Sequence, residues 1–304
     1  MTTRKLIIGD PASGKTTLIR RELDIARAEN AVCLVVDAEG DLFKDGYKDG
    51  DLVLDLTCSG DLEWSILAEL KDNSDADLLL SLFERTCPDD SYVNYLRPVY
   101  KAILGHMWHG RQLGDDIRNR DLIKFALTVS DNKHLSLVYA DFGNFCDAHP
   151  EAGFDSFSIR DWLLNSVKAA NPSVLWIKSG LSERKSVNFM CNLFSALSFS
   201  ALSEQEAERA WFFCDNLAMT GELSALPHYF SESKCNFVAS GQSVPALKRQ
   251  YAKEYDNDNS AWEIMESHIT NKVLLVPLII STPAELKKYD GWEHVARLDK
   301  YQNR

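Results

Sequence analysis

The sequence lacks an apolar run long enough to cross a bilayer, which takes about 20 residues, and it has no secretory leader. A chain that folds in water, in the cytoplasm, is the expectation. The first strand begins only a few residues from Met1, which leaves open a compact soluble protein or one whose upstream segment is missing. Paired cysteines are lacking as well. The seven cysteines are scattered, with no C-x-x-C pair and no Cys/His spacing of a metal site. An odd, dispersed set argues against a disulfide framework and fits reduced thiols. There is no excess of basic charge. The formal net charge of -12 excludes broad coating of nucleic acid by charge alone, though a local basic lining inside a ring stays open. Repeats and low-complexity linkers are absent too. What remains is 304 residues at 45% hydrophobic content, enough for one large α/β domain or two smaller ones.

The most informative stretch is RKLIIGDPASGKTTLIRREL. Gly9, Asp10, Pro11, Ala12, Ser13, Gly14, Lys15 and Thr16 fit G-x-x-x-x-G-K-[ST], the P-loop pattern, and Thr17 comes next. Such a loop must wrap so tightly that successive backbone N–H groups point at phosphate oxygens, and glycine permits that geometry. The helix beginning near Gly14 adds its positive N-terminal end. Lys15 is expected to reach the β- and γ-phosphates of ATP, and the Thr16 hydroxyl to sit on Mg²⁺. The context agrees, with RKLII as a strand and KTTLIRRELDIARAEN as a helix carrying Leu18, Ile19, Leu23 and Ala26 near helical spacing.

Further strands are expected at Val32–Val36, ending in Asp37, and at Asp51–Leu56. From about Leu62 to Ala170 the pattern turns helical, with Val93, Leu96, Tyr100, Ile103, Leu104 and Met107 on one stripe and further helices in DDIRNRDLIKFALTVS and LSLVYADFGNFCDAH. The sheet resumes at Ser173–Lys178. A long helix comes after it, with Ser182 as candidate N-cap and Val187, Met190, Phe194, Leu197 and Ala201 on one face. Strands at Ala210–Asn216, Asn236–Ser243 and Lys272–Ile280 complete the pattern, with helices in GELSALPHYFSES and SVPALKRQYAKEY between them. Pro277 suggests that the last strand lies at a sheet edge or bends there. The fold class is therefore α/β, a P-loop NTPase (RecA-like) with a mostly parallel central sheet flanked by helices, plus a helical insertion. Residues 1–61 and 171–304 form the nucleotide-binding domain in this reading, and residues 62–170 an all-α insertion. Ligands belong at the carboxyl ends of the strands.

A P-loop needs an acidic residue at the end of another apolar strand to hold Mg²⁺. Asp215, after Trp211-Phe212-Phe213-Cys214, supplies it; Asp37 competes and Asp141 is a weaker candidate. Asp215 is preferred because a further strand succeeds it and ends near Gln242, which can contact the γ-phosphate or its attacking water.

The order of these pieces resembles the type IV secretion coupling proteins, the TraD/TraG group of conjugation ATPases. In that family the strand after the P-loop ends in D-x-K-G-[DE]; here it reads Asp37-Ala38-Glu39-Gly40-Asp41. A short strand and a stretch with Trp64 come next, then the helical block, as in the family's all-α domain. SFSIRDWLL and SVLWIKSG resemble the return to the sheet. AWFFCDNLAMTGELSALPHYF resembles its apolar-D-E segment, with Leu226-Pro227 in place. ASGQSVPALKRQY resembles its G-x-Q-S-x-x-Q-L-x-x-x-Y segment, with Gln242, Ser243, Leu247 and Tyr251, and NKVLLVPLIISTPAELKKYDGW its closing strand and helix. The resemblance implies an ATP-driven homo-oligomer, a ring of the hexamer kind, that passes DNA or protein to a secretion channel. It implies a pore for DNA, a secretion or relaxosome protein docked on the helical insertion, and a place in the cytoplasm or at the cytoplasmic face of the inner membrane, reached through partners or a missing anchor.

Three departures matter. The family's catalytic glutamate is Asn216 here, and an amide cannot take the proton of an attacking water, although it can orient that water. Near Ser231, where the family places an arginine, only Lys234 is close, and lysine lacks the planar fork of an arginine finger. The family's N-terminal membrane anchor has no counterpart in this sequence. Lys15, Asp215, Asn216 and Gln242 are thus the candidate catalytic set, with weakened hydrolysis expected. Two other readings stay open: a nucleotide-binding module that acts through protein contacts, and a small-molecule kinase with Arg184 and Lys185 as a lid. His106 and His109 lie three apart and lack a third metal ligand. Tyr92, Tyr95, Tyr100 and Trp108 read as packing of the insertion more than as a base-stacking surface.

Overall fold

The apolar segments fold as strands that are buried on both faces. The computed structural model describes residues 2–37, 39–58, 62–72, 75–86, 90–129, 148–179, 184–220, 223, 226, 229–230, 234–252, 254–256, 259–276 and 293–296. Strands β1 (Arg4–Gly9), β2 (Val32–Asp37), β3 (Leu52–Asp55), β4 (Leu175–Lys178), β5 (Ala210–Asp215), β6 (Asn236–Gly241), β9 (Asn271–Val276) and β10 (Glu293–Ala296) form one sheet in the order β10-β9-β1-β6-β5-β2-β4-β3. All neighbours in it run parallel. Each connection is therefore a crossover, and helices cover both faces. Two short strands, β7 (Glu254–Asp256) and β8 (Asn259–Ser260), form a separate antiparallel pair.

The alternation of side chains splits the core in two. One face carries Ile7, Cys33, Val35, Trp176, Trp211 and Phe213, packed against Ile19, Leu23 and Ala26 of helix α1 (Lys15–Ala28). Burial of Ile19 and Leu23 contributes about 1.5–3 kcal/mol each. The opposite face carries Leu6, Leu34, Val36, Phe212 and Phe237, and its apolar cluster runs without a break into the helical block. That block contains α3 (Asp75–Thr86), α4 (Asp90–Gln112), α5 (Asn119–Val129) and α6 (Ile159–Ser166); α2 (Asp41–Gly46) lies earlier, after β2. Further helices among the described residues are α7 (Arg184–Ser200), α8 (Glu204–Ala207), α9 (Val244–Gln250) and α10 (Ala261–His268). Val187, Met190, Phe194 and Leu197 of α7 are buried as the stripe requires, whereas Ala201 lies beyond the helix end and is exposed.

The block leaves and re-enters the sheet through a clasp. Trp64 bridges Phe157 in parallel. The buried Glu69 carboxylate accepts from Trp64 Nε1 at 2.8 Å, Ser158 Oγ at 2.9 Å, Ile159 N at 2.7 Å and Arg160 N at 3.2 Å. It thereby caps the start of α6. Asn119 adds bonds to the carbonyls of Trp64 and His149.

Some sequence expectations shift. β9 is not an edge strand, because β10 pairs with it on the outside; β10 was not anticipated, since its four residues carry no apolar run. Pro277 itself, Ser182, Asp141, Pro227, Ser231 and nearly all of LSLVYADFGNFCDAH lie outside the described residues, as do the side chains of Arg184, Lys185, Tyr92, Tyr95, Val93 and Leu96. Tyr100 is buried and Trp108 packs edge-on to Phe154, so both serve the core of the insertion. His106 stacks on Phe125 at 3.9 Å, and no cluster of three metal-ligating side chains occurs among the described residues. Nor, among them, is any helix long and apolar enough to cross a membrane.

Candidate functional site

The carboxyl ends of β1, β2, β5 and β6 converge on a cleft of about 560 Å³, within the usual size of a small-ligand site. Ala12, Ser13, Gly14, Lys15 and Thr16 line it from the loop, and Glu39, Asp215, Asn216 and Gln242 face them. The loop is made by its glycines. A Cβ on Gly9 would lie 2.5 Å from Ser13 Oγ and 2.9 Å from Leu275 Cβ, so only glycine lets the strand end pass there. Gly14, at φ 100, occupies the left-handed region at the start of α1, which turns the first helical N–H groups toward the cleft. Asp10 closes the turn by accepting from Ser13 N at 3.2 Å. Asp10, Pro11 and Ala12 are exposed, while Thr16 and Thr17 are half-buried on the first turn of α1.

Lys15 Nζ donates to the carbonyls of Gly9 at 2.9 Å and Asp10 at 2.8 Å, which holds the ammonium over the loop. Burial lowers its pKa, against the opposing pull of Asp215, Glu39 and Asp10. A phosphate there would restore the lost stabilisation of the cation. The Ser13 hydroxyl is 1% exposed and finds no partner among the described residues, so the loop also holds an unused donor. These observations fit a nucleotide phosphate chain.

The second half of the site comes from the far end of the sequence. Thr16 Oγ1 donates to Asp215 Oδ2 at 2.7 Å, across 199 positions of chain. Asp215 Oδ1 accepts from Ser240 Oγ at 2.5 Å, and Ser240 Oγ accepts from Asn216 N at 2.9 Å. A hydroxyl and a carboxylate so placed have the hard oxygen chemistry that magnesium selects. Asp37 lies beside Asp215 in register but serves another purpose. Its two oxygens accept from Gly40 N at 2.9 Å and Phe43 N at 2.7 Å, fixing the turn into α2. Burial pushes its pKa up despite those bonds, and the Asp215 charge adds to the effect. Both Asp37 oxygens are thus engaged by backbone N–H groups, whereas Asp215 is bonded to the Thr16 and Ser240 hydroxyls.

Asn216 sits at φ 59, a left-handed conformation that asparagine tolerates better than most residues. Its Nδ2 donates to Glu39 Oε1 at 3.1 Å, and its buried Oδ1 finds no partner among the described residues. Gln242 is exposed on the cleft wall just past β6. Lys234 is at the opposite end of β6, paired with Glu204 at 2.7 Å, and does not enter the cleft. Sequence reasoning missed Ser240 and Glu39. Ser240 carries a faint signal, as a hydroxyl in an otherwise apolar buried strand. Glu39 was visible as the departure from D-x-K-G-[DE], where lysine is expected.

A parallel sheet that places a G-x-x-x-x-G-K-T loop against a strand-end aspartate defines a P-loop NTPase fold. The chain belongs to the family described as the type IV secretion-system coupling protein DNA-binding domain, whose model matches residues 1–141 and 146–298. Among solved structures, the bacterial conjugative coupling protein TrwBdeltaN70 in complex with sulphate is 20% identical, covering 87% of this chain and 68% of its own, with TM-score 0.65. The plasmid coupling protein TrwB in complex with ADP and Mg²⁺ is 19% identical over 89% of this chain and 69% of its own, also at TM-score 0.65. VirB4 of Thermoanaerobacter pseudethanolicus is 11% identical over 95% of this chain and 80% of its own, at TM-score 0.58. No curated protein sequence matches the chain.

Proposed function

We propose that this protein binds ATP with Mg²⁺ in the cleft and uses binding and hydrolysis to drive a conjugative or secretion substrate toward its channel. The observation that carries the reading is the Thr16–Asp215 contact, which brings together two motifs 199 residues apart and supports reading them as one magnesium site. Thr16 and Asp215 would hold the ion, Lys15 and the loop N–H groups the phosphates, and Gln242 the γ-phosphate end. The ion supplies positive charge that offsets the charge building on the phosphate oxygens. TrwB has been seen with ADP and Mg²⁺ and with the ATP analogue ADPNP, which supports carrying this chemistry over.

The wider role is that of the family. Residues 1–61 and 171–304 act as the nucleotide-binding domain and 62–170 as an inserted docking domain. Copies assemble into a ring, as a hexamer, whose pore passes DNA. The insertion receives a secretion or relaxosome protein, at the cytoplasmic face of the membrane. Asn216 favours a second reading, in which the site binds nucleotide, turns it over slowly and signals through protein contacts. Calorimetry tests the shared core of both. Lys15→Ala should abolish ATP binding with the fold intact, and unchanged affinity in that variant would sink the assignment.

A further inference from the structure

Asn216 leaves the family's glutamate position without a carboxylate, yet the cleft still holds one. Glu39 rises from the turn between β2 and α2 and lines the same cleft as the P-loop lysine, whose charged form it helps to stabilise. Its Oε1 accepts from Asn216 Nδ2 at 3.1 Å. Two positions therefore differ together from the family pattern: Glu39 stands where lysine is expected, and Asn216 where glutamate is expected. The cleft thus keeps one carboxylate, beside Asn216.

The rest of the geometry gives this exchange a purpose. A water that attacks phosphorus must have its two hydrogens accepted elsewhere, so that a lone pair faces the phosphorus. Asn216 is pinned for such a task. Its backbone is left-handed, its N–H is held by Ser240, and Ser240 is tied to the magnesium-site aspartate. Its Oδ1 is buried and unpartnered among the described residues, an acceptor beside the Glu39 carboxylate. A buried acceptor left idle costs about 1–3 kcal/mol, so its retention at a strand end points to a ligand that uses it.

We propose that Glu39 is the catalytic base for nucleoside triphosphate hydrolysis, with Asn216 as the positioning residue that orients both the Glu39 carboxylate and the water. The inference rests on the nucleotide-binding reading above. In the step, the water oxygen forms a bond to the γ-phosphorus as the bond from that phosphorus to the β–γ bridging oxygen breaks. The electron pair of the broken bond stays on the departing nucleoside diphosphate. One water proton passes to Glu39 and is later released to solvent, so the products are nucleoside diphosphate, inorganic phosphate and a proton.

The test compares the full chain with Glu39→Gln, Asn216→Glu and the double variant, reading ATP turnover across pH and the affinity for a non-hydrolysable ATP analogue. Glu39→Gln should lower turnover by about 10²–10⁴-fold, as expected for loss of general-base catalysis, with analogue affinity held within about threefold. The double variant, with a carboxylate returned to the family position, should recover part of the lost turnover. Three outcomes overturn the inference: Glu39→Gln turnover within about threefold of wild type, analogue affinity falling in step with turnover, or a wild type that binds the analogue and turns over no ATP. A wild type that binds no analogue overturns the nucleotide reading as well, which separates the two failures.

Discussion

Replacing Glu69 with alanine tests whether the helical block and the sheet are held as one unit. Glu69 is 2% exposed and accepts from four donors at the two ends of the block. The Ser158 hydroxyl can rotate to a new partner, but Trp64 Nε1 and the backbone N–H groups of Ile159 and Arg160 cannot. Each buried donor left unpaired costs about 1–3 kcal/mol, which gives about 3–9 kcal/mol for three. Removing the carboxylate also relieves its own desolvation penalty, worth several kcal/mol. The expected net loss is about 3 kcal/mol, which at about 2 °C per kcal/mol lowers the thermal midpoint by about 6 °C. The pH dependence carries a second signature. Burial raises the Glu69 pKa above its ordinary 4.5, outweighing the four donors that oppose it. The folded protein therefore keeps this proton to higher pH than the unfolded chain does. The contribution of Glu69 is fully present below 4.5 and is lost as pH rises through the folded value. The gap between wild type and Glu69→Ala should thus widen on acidification. Differential scanning fluorimetry across pH measures both effects. A midpoint within about 1 °C of wild type, or a gap that narrows toward acid pH, would refute the reasoning.

Asp215→Ala should remove the magnesium dependence of nucleotide affinity, read by calorimetry with and without the ion, while leaving metal-free binding nearly intact. An equal loss under both conditions would mean that the residue only supports the fold. The ring proposal predicts that a non-hydrolysable ATP analogue promotes assembly, because a ligand shared by two copies favours the assembled form. The net charge of -12 opposes close approach of copies, so added salt should strengthen the association. Sedimentation that finds monomer at every protein, salt and nucleotide concentration would exclude it.

The legibility of the sequence tracked the strength of its patterns. β1, β2, β5 and β6 were visible because they are buried on both faces and carry short apolar runs. The P-loop was visible because phosphate geometry restricts it to a few residue types. β10 was not, since a four-residue edge strand needs only one buried face and carries little pattern. In the sequence, Asp215 prevailed over Asp37 because of the strand that ends near Gln242. In the structure the Asp37 oxygens are engaged in the turn before α2. Glu39 escaped because its partner, Asn216, is 177 positions away, and no local pattern announces a contact made only when β2 and β5 pair.

The order of strands has a consequence for how the protein is made. β1 carries the P-loop and leaves the ribosome before the other strands of the sheet, but its neighbours are β6 and β9. Arg4 pairs with Phe237 and Lys5 with Asn271, so the strand has no partner until most of the chain exists. At about 5–20 residues per second, translation of that interval takes on the order of 10–50 s. During that time the loop is a string of glycine and polar residues with no sheet beneath it and no Asp215 beside Thr16. The nucleotide binding proposed for the cleft would therefore arrive late, and nascent fragments that end before β6 would lack it.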